Sequence, residues 1–251
     1  MLALSNPGAA SVTPAGELPN LVPLPAFDIA IEAQSPGGTP ALHFAAATAN
    51  KGDFALDLLG KPGGSTETAP VDQCVAWAAD RVCEAREMVG EFVWHPDHGH
   101  YHFEKFAQYE LRRFRRSGAV DMRPGGLVAT SGKVSYCVID VEQDRDADSP
   151  VYEFPHPLYY SCYSPFGFQG ISPGWRDIYS AGTPGQEFPL EALSAGRFAI
   201  VIRSNPAGIL KESSLVDNVS VTGIEISHGL AEVSVFCLSE PGSLACDQPV
   251  E

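Results

Sequence analysis

From Leu18 onward, glycine and proline cut the chain into short runs, and this punctuation leaves little room for anything but strands. Val219 to Ile226, VSVTGIEI, and Ala231 to Cys237, AEVSVFC, alternate in the manner of half-buried strands. Arg197 to Arg203, RFAIVIR, is a compact β run rich in branched side chains. Ala41 to Asn50, ALHFAAATAN, and Phe54 to Leu59 read as two strands of one hairpin, with Asn50-Lys51-Gly52-Asp53 as its turn. Helical signal is thin. Val75, Ala78, Ala79 and Val82 sit at helical spacing, yet Asp72 to Met88 reads equally well as irregular or β. The expected fold is all-β, a sandwich-like core with long Gly/Pro-rich loops and little helix.

The chain of 251 residues divides into a loose N-terminal tail, 1–16, and a single domain over 17–251. No apolar run is long enough to span a bilayer, so no membrane partner is expected. A net charge of −15 argues against nucleic acid; it would concentrate cationic partners, amines among them, but solubility alone is the plainer reading. The six cysteines suggest three local disulfides, Cys74–Cys83, Cys137–Cys162 and Cys237–Cys246, and hence an oxidising compartment. The opening MLALSNP lacks the charged and apolar regions of a signal peptide, so the secreted location expected here supposes a leader removed from this sequence. Asp140 to Ser149 and Phe154 to Gln186 read as long loops, and Cys137–Cys162 would staple one of them.

The chemistry concentrates in WHPDHGHYH, residues 94 to 102, which holds four of the seven histidines. His98, His100 and His102 occupy i, i+2 and i+4. On a helix they would diverge; on a strand they leave from one face. A straight strand separates the outer Cα atoms by about 13 Å, and each imidazole reaches a metal at roughly 6.5 Å from its Cα. A single ion therefore requires a curved or bulged strand, which Pro96 and Gly99 would permit. Three neutral imidazoles suit Cu(II), Zn(II) or Ni(II), copper most tightly. The plainer alternative is a histidine-rich surface strand without metal. His95 has the opposite parity, so it could be a fourth ligand only if the chain turns at Pro96; a role beside the metal or the substrate fits better. Asp97 could hold a ring N–H, and Glu104 reads as a solvated carboxylate.

This stretch with the following FEKFAQYEL resembles the copper-binding segment of the lysyl oxidase family. Three further segments agree in order: GKVSYCVID (Gly132 to Asp140), QGISPGWRDIY (Gln169 to Tyr179) and GRFAIVIRSNPAGILKESSLVDN (Gly196 to Asn218). The likeness runs from about Leu18 to Ile226. It implies copper on His98, His100 and His102, with zinc as an occupant of an immature form, and a lysine tyrosylquinone built from Lys133 and Tyr179. It further implies oxidative deamination of primary amines, peptidyl lysine included, with molecular oxygen as oxidant and aldehyde, hydrogen peroxide and ammonia as products. Departures from the animal pattern point to a microbial member. Asp97 replaces a cysteine, and Gln108 replaces a histidine discussed as the catalytic base, leaving His95, Asp97 or Asp177 as candidates. A structural Ca2+ site would draw on Glu17, Asp217 and Asn218, but Ser214 stands where a carboxylate is expected. Two other readings stay open: a non-catalytic secreted metal-binding β-sandwich, and a zinc-dependent hydrolase. The hydrolase would need a base such as the Glu of H-E-x-x-H, and that motif is absent.

Overall fold

Runs of β-branched, aromatic and alanine residues form the strands, and the Gly/Pro cuts between them form the turns. The computed structural model describes residues 18–33, 39–65, 67–146, 148–150, 155–190, 195–227, 232–236 and 238. The expected tail, Glu17 and the Cys237–Cys246 pair lie outside them. The strands are β1 (Leu21–Pro23), β2 (Phe27–Ala33), β3 (Pro40–Asn50), β4 (Leu56–Gly60), β5 (Thr68–Trp77), β6 (Cys83–His95), β7 (His100–Phe103) and β8 (Ala107–Arg113). They continue as β9 (Leu127–Thr130), β10 (Glu142–Gln143), β11 (Phe168–Ile171), β12 (Trp175–Tyr179), β13 (Glu187–Pro189), β14 (Gly196–Ser204), β15 (Val219–Ile226) and β16 (Val233–Phe236). The fold is all-β, and Pro124–Gly126 makes a 3-10 turn.

The strands form three antiparallel sheets. In the first, β1 and β12 flank the C-terminal half of β3 while β2 and β13 pair with its N-terminal half; β10 lies beyond β12. The second has the order β11-β4-β5-β6-β7 and the third β16-β15-β14-β8-β9. One apolar cluster draws on all three, with Phe44, Phe92, Phe103, Phe106 and Phe188 fully buried. Phe44 stacks on Phe188 at 4.9 Å and meets Tyr109 edge-on at 5.2 Å.

Three expectations change. Ala41–Asn50 and Phe54–Leu59 do supply strands, but β3 and β4 belong to different sheets and make no hairpin. Both edges at the end of β3 are already taken, by β1 (Leu21 opposite Asn50) and β12 (Arg176 opposite Ala49). The buried Asn50 side chain fixes the corner between sheets: its Nδ2 donates to Phe54 O (2.8 Å) and Ile171 O (2.9 Å), and its Oδ1 accepts from Asn20 N and Gly52 N. The ambiguous 72–88 region is the β5–β6 hairpin, clipped by Cys74–Cys83. The presumed loop over Phe154 to Gln186 contains β11 and β12, and Asp140 anchors it by accepting from Leu158 N, Ser172 N and Ser172 Oγ.

Candidate metal centre

His98, His100 and His102 do not lie on one bent strand. β6 ends at His95, residues 96–99 turn, and β7 begins at His100, so His98 projects from a hairpin turn and the other two from a strand. Gly99 carries the reversal at φ +68°, a conformation that favours glycine. The turn solves the distance problem that a straight strand posed. The ligand nitrogens of all three histidines lie within 4.8 Å of one another, and His100 Nε2 is 2.8 Å from His102 Nε2.

The reversal also changes the place of His95. Parity is not carried across a turn, and His95 sits directly opposite His100. Its ring stacks on His102 at 4.2 Å. Its Nε2 is 3.1 Å from Glu104 Oε1 and 3.3 Å from Ser135 Oγ. Glu104 is thus a partner of His95 rather than a free carboxylate, while Asp97 stands exposed in the turn. Ser135 Oγ also lies 3.1 Å from His102 Nδ1, which aims the other ring nitrogen into the triad. Burial, reinforced by the Lys133 charge, lowers the pKa of His98, His100 and His102, the last to about 2. All three imidazoles are neutral at pH 7, the form that binds a metal.

Lys133 and Tyr179 come from different parts of the chain. Lys133 lies in the irregular segment between β9 and β10, where its N–H donates to Gly185 O at 3.2 Å. Gly185 has φ +86°, and a Cβ there would sit 3.1 Å from Lys133 N, so glycine admits this approach. Tyr179 ends β12 opposite Ala46. The Lys133 Nζ lies 4.8 Å from the centroid of the Tyr179 ring. Tyr179 Oη accepts from Cys137 N at 2.7 Å, and its ring packs against Tyr136 at 3.9 Å. A Phe103–Tyr136 bridge ties this segment to β7, so the histidines and the Lys133–Tyr179 pair share one wall.

Burial lowers the Lys133 pKa to about 8, against the attraction of Asp177 and Glu104. Burial raises Tyr179 and Asp177 well above their ordinary values. Asp177 is 1% exposed, and its burial disfavours the carboxylate form that a base needs. Gln108 stands half-buried in β8 opposite Arg203. Cys137 and Cys162 approach His100 but are joined in a disulfide and offer no thiolate.

Asp217 and Asn218 meet a group that the sequence reading missed. Glu212 accepts from Leu21 N, Asn205 Nδ2 and Asn218 Nδ2, and burial raises its pKa to about 7. Ser214 donates to Asp217 Oδ1 at 2.6 Å. Ser135 was missed as well. Its signal was present, two positions after Lys133 in GKVSYC and therefore on the same side of an extended chain.

Comparison with known proteins places the chain in a family. The lysyl oxidase family model matches residues 76–235. Lysyl oxidase homolog 1 of Homo sapiens is 31% identical over 127 residues, 50% of this chain and 19% of that protein. Protein-lysine 6-oxidase is 28% identical over 127 residues in Gallus gallus, covering 26% of that protein, and 27% identical over 127 residues in Sus scrofa, covering 43%. The match spans less than half the length of each of these relatives. With the family model covering residues 76–235 and the histidine, lysine and tyrosine side chains gathered on one wall, the chain belongs to the lysyl oxidase family.

Proposed function

We propose that this protein is a copper-dependent amine oxidase that converts primary amines, lysine side chains of proteins included, to aldehydes with molecular oxygen, releasing hydrogen peroxide and ammonia. The observation that carries this reading is the Lys133 amine held over the Tyr179 ring beside three converging neutral imidazoles.

The donor set fits the metal. Three neutral nitrogen ligands converge, and Ser135 orients one of them, which suits Cu(II) and also admits zinc in an immature protein. His98, His100 and His102 would hold the ion. Bound copper supplies redox chemistry with oxygen, and a lysine tyrosylquinone made from Lys133 and Tyr179 supplies an electrophilic carbonyl.

The chain's own residues prepare that chemistry. Burial lowers the Lys133 amine to a pKa of about 8, so that at pH 7 about a tenth of it carries a lone pair able to form a bond, far more than for an ordinary lysine. Cys137 N–H and the Tyr136 ring fix the Tyr179 ring against it. With glutamine at position 108, the proton acceptor in this reading is His95. Glu104 accepts the Nε2–H of His95, which leaves the Nδ1 lone pair to take a proton. The domain is taken as 17–251 and the protein as secreted, in keeping with its two described disulfides. Peroxide release from n-butylamine by the copper-loaded protein tests the reading. Wild type produces it, Lys133→Arg and Tyr179→Phe do not, and no peroxide from any primary amine contradicts the proposal.

A further inference from the structure

Charge is unevenly spread along this chain. Its net charge is −15, yet seven of its eleven arginines fall within 112–116, at 123 and within 197–203. Pairing of β8 with β14 draws these stretches together, with Arg113 opposite Phe198 and Gln108 opposite Arg203. Among the described residues three carboxylates meet these arginines: Glu110, Asp121 and Glu225. Glu110 is buried against Arg112, and Arg115 and Arg123 share Asp121, so positive charge is left in excess. Arg113 lies over the Phe198 ring at 5.8 Å, and Arg116 makes no ion pair with a described residue.

Beyond β8 the chain makes a small hairpin. Phe114 bridges Val120, Arg115 N donates to Ala119 O at 2.8 Å, and Gly118 takes φ +90° in the turn. The tip, Arg115 to Gly118, is exposed. An open groove of about 650 Å³ lies between this hairpin and Phe236 at the end of β16. Half-buried Phe114 and Phe236, their rings 5.8 Å apart, and the buried Val120 give it an apolar floor. Arg115, Arg116 and Arg197 are exposed around it, the Arg197 guanidinium 4.0 Å from the Phe236 ring centroid. The groove belongs to the third sheet and the histidine hairpin to the second, so its use is independent of the amine oxidase reading.

We propose that this groove docks an acidic segment of a partner polypeptide, with an apolar side chain between Phe114 and Phe236 and flanking Asp or Glu side chains on Arg115, Arg116 and Arg197. A guanidinium holds a carboxylate through two parallel hydrogen bonds, and arginine beside aromatic rings is a common anchor of protein interfaces. Positive charge concentrated on one face of an otherwise acidic molecule steers an anionic segment to that face. A sulfated polysaccharide matches the charge but has no apolar side chain for the floor. A lipid surface fits less well, because the hairpin tip, RRSG, offers no apolar group to enter it.

The test is fluorescence anisotropy of a labelled, capped peptide with one leucine between two pairs of glutamates, titrated with the full chain at low and physiological salt. Wild type should bind it, and more weakly as salt rises. The Arg115→Glu/Arg116→Glu variant, altered at an exposed tip, should bind about tenfold more weakly. Serine in place of the leucine keeps the peptide's charge and should cost about tenfold as well. Arg145→Glu, an exposed arginine outside the cluster, should leave binding unchanged. The proposal is overturned if wild type fails to bind the peptide, if Arg145→Glu weakens binding as much as the tip variant, or if the serine peptide binds equally well. It is also overturned if heparin or phosphatidylserine vesicles bind through Arg115 and Arg116 while the peptide does not. Sedimentation showing that copies of the chain associate through these two arginines would overturn it too, since the groove's occupant would then be a second copy.

Discussion

The Lys133 Nζ stands 4.8 Å from the Tyr179 ring centroid although no strand pairing joins the two residues. Lys133 is placed by the Gly185 carbonyl and Tyr179 by its register on β3. What unites them is a shared wall, with the buried Asp177 two positions before the tyrosine.

Lys133 makes a pH signature. Its amine titrates near 8 in the folded protein against 10.5 for an ordinary lysine. Between those values the unfolded chain holds a proton that the folded chain has lost, so metal-free stability rises with pH across that window. Below pH 8 the buried charge costs on the order of 2–3 kcal/mol, so Lys133→Met should stabilise the metal-free protein at pH 7 by a similar amount. A 13C-lysine NMR titration that placed the Lys133 midpoint near 10.5 would contradict this.

Metal affinity should separate the histidines into two grades. Alanine at His98, His100 or His102 removes a ligand and should abolish tight 1:1 copper binding. Ser135→Ala keeps all three ligands, removes the hydroxyl shared by His102 Nδ1 and His95 Nε2, and should weaken binding by about 10–100-fold. Competition titration against a copper chelator reads both effects. Equal losses for Ser135→Ala and His102→Ala would be inconsistent with this assignment.

The Cys137–Cys162 bond should matter more than its size suggests. It closes a sequence separation of 25 residues, worth roughly 3 kcal/mol by chain entropy. The paired serine variant should melt lower and lose protection from proteolysis around Tyr160 to Phe166. Unchanged proteolysis there would show that the hydrogen bonds accepted by Asp140, Cys162 O and Gly167 O hold the segment without the disulfide.

Asn50 is the corner between two sheets. Asn50→Ala strips partners from Asn20 N, Gly52 N, Phe54 O and Ile171 O, and should cost about 2–4 kcal/mol in denaturant unfolding. A loss below about 0.5 kcal/mol would mean that solvent replaces those bonds.

Much of this was legible in the sequence, and the failures have physical causes. Period-two runs located β15 and β16 and a compact β run located β14, while the i, i+2, i+4 spacing drew attention to His98, His100 and His102 although His98 stands in a turn and not on their strand. Local pattern cannot say which edge a strand will meet, so β3 and β4 were paired as a hairpin when β1 and β12 had already filled the edges. His95 reads as a group beside the metal or the substrate, and as a ligand only if the chain turns at Pro96; the chain does turn over 96–99, and the reversal at Gly99 sets His95 directly opposite His100, a pairing that parity along one strand does not give. Ser135, Glu104 and Glu212 act through partners distant along the chain, and spacing carries no trace of such partners.

The central claim is that Lys133 and Tyr179 become one cofactor. Peptide mass analysis of the copper- and oxygen-treated protein tests it most directly. The account predicts a single cross-linked species containing both residues, with a mass differing from the sum of the two linear peptides, and its absence in Lys133→Arg and Tyr179→Phe. Recovery of two unmodified peptides from copper-loaded, oxygen-exposed protein would contradict it.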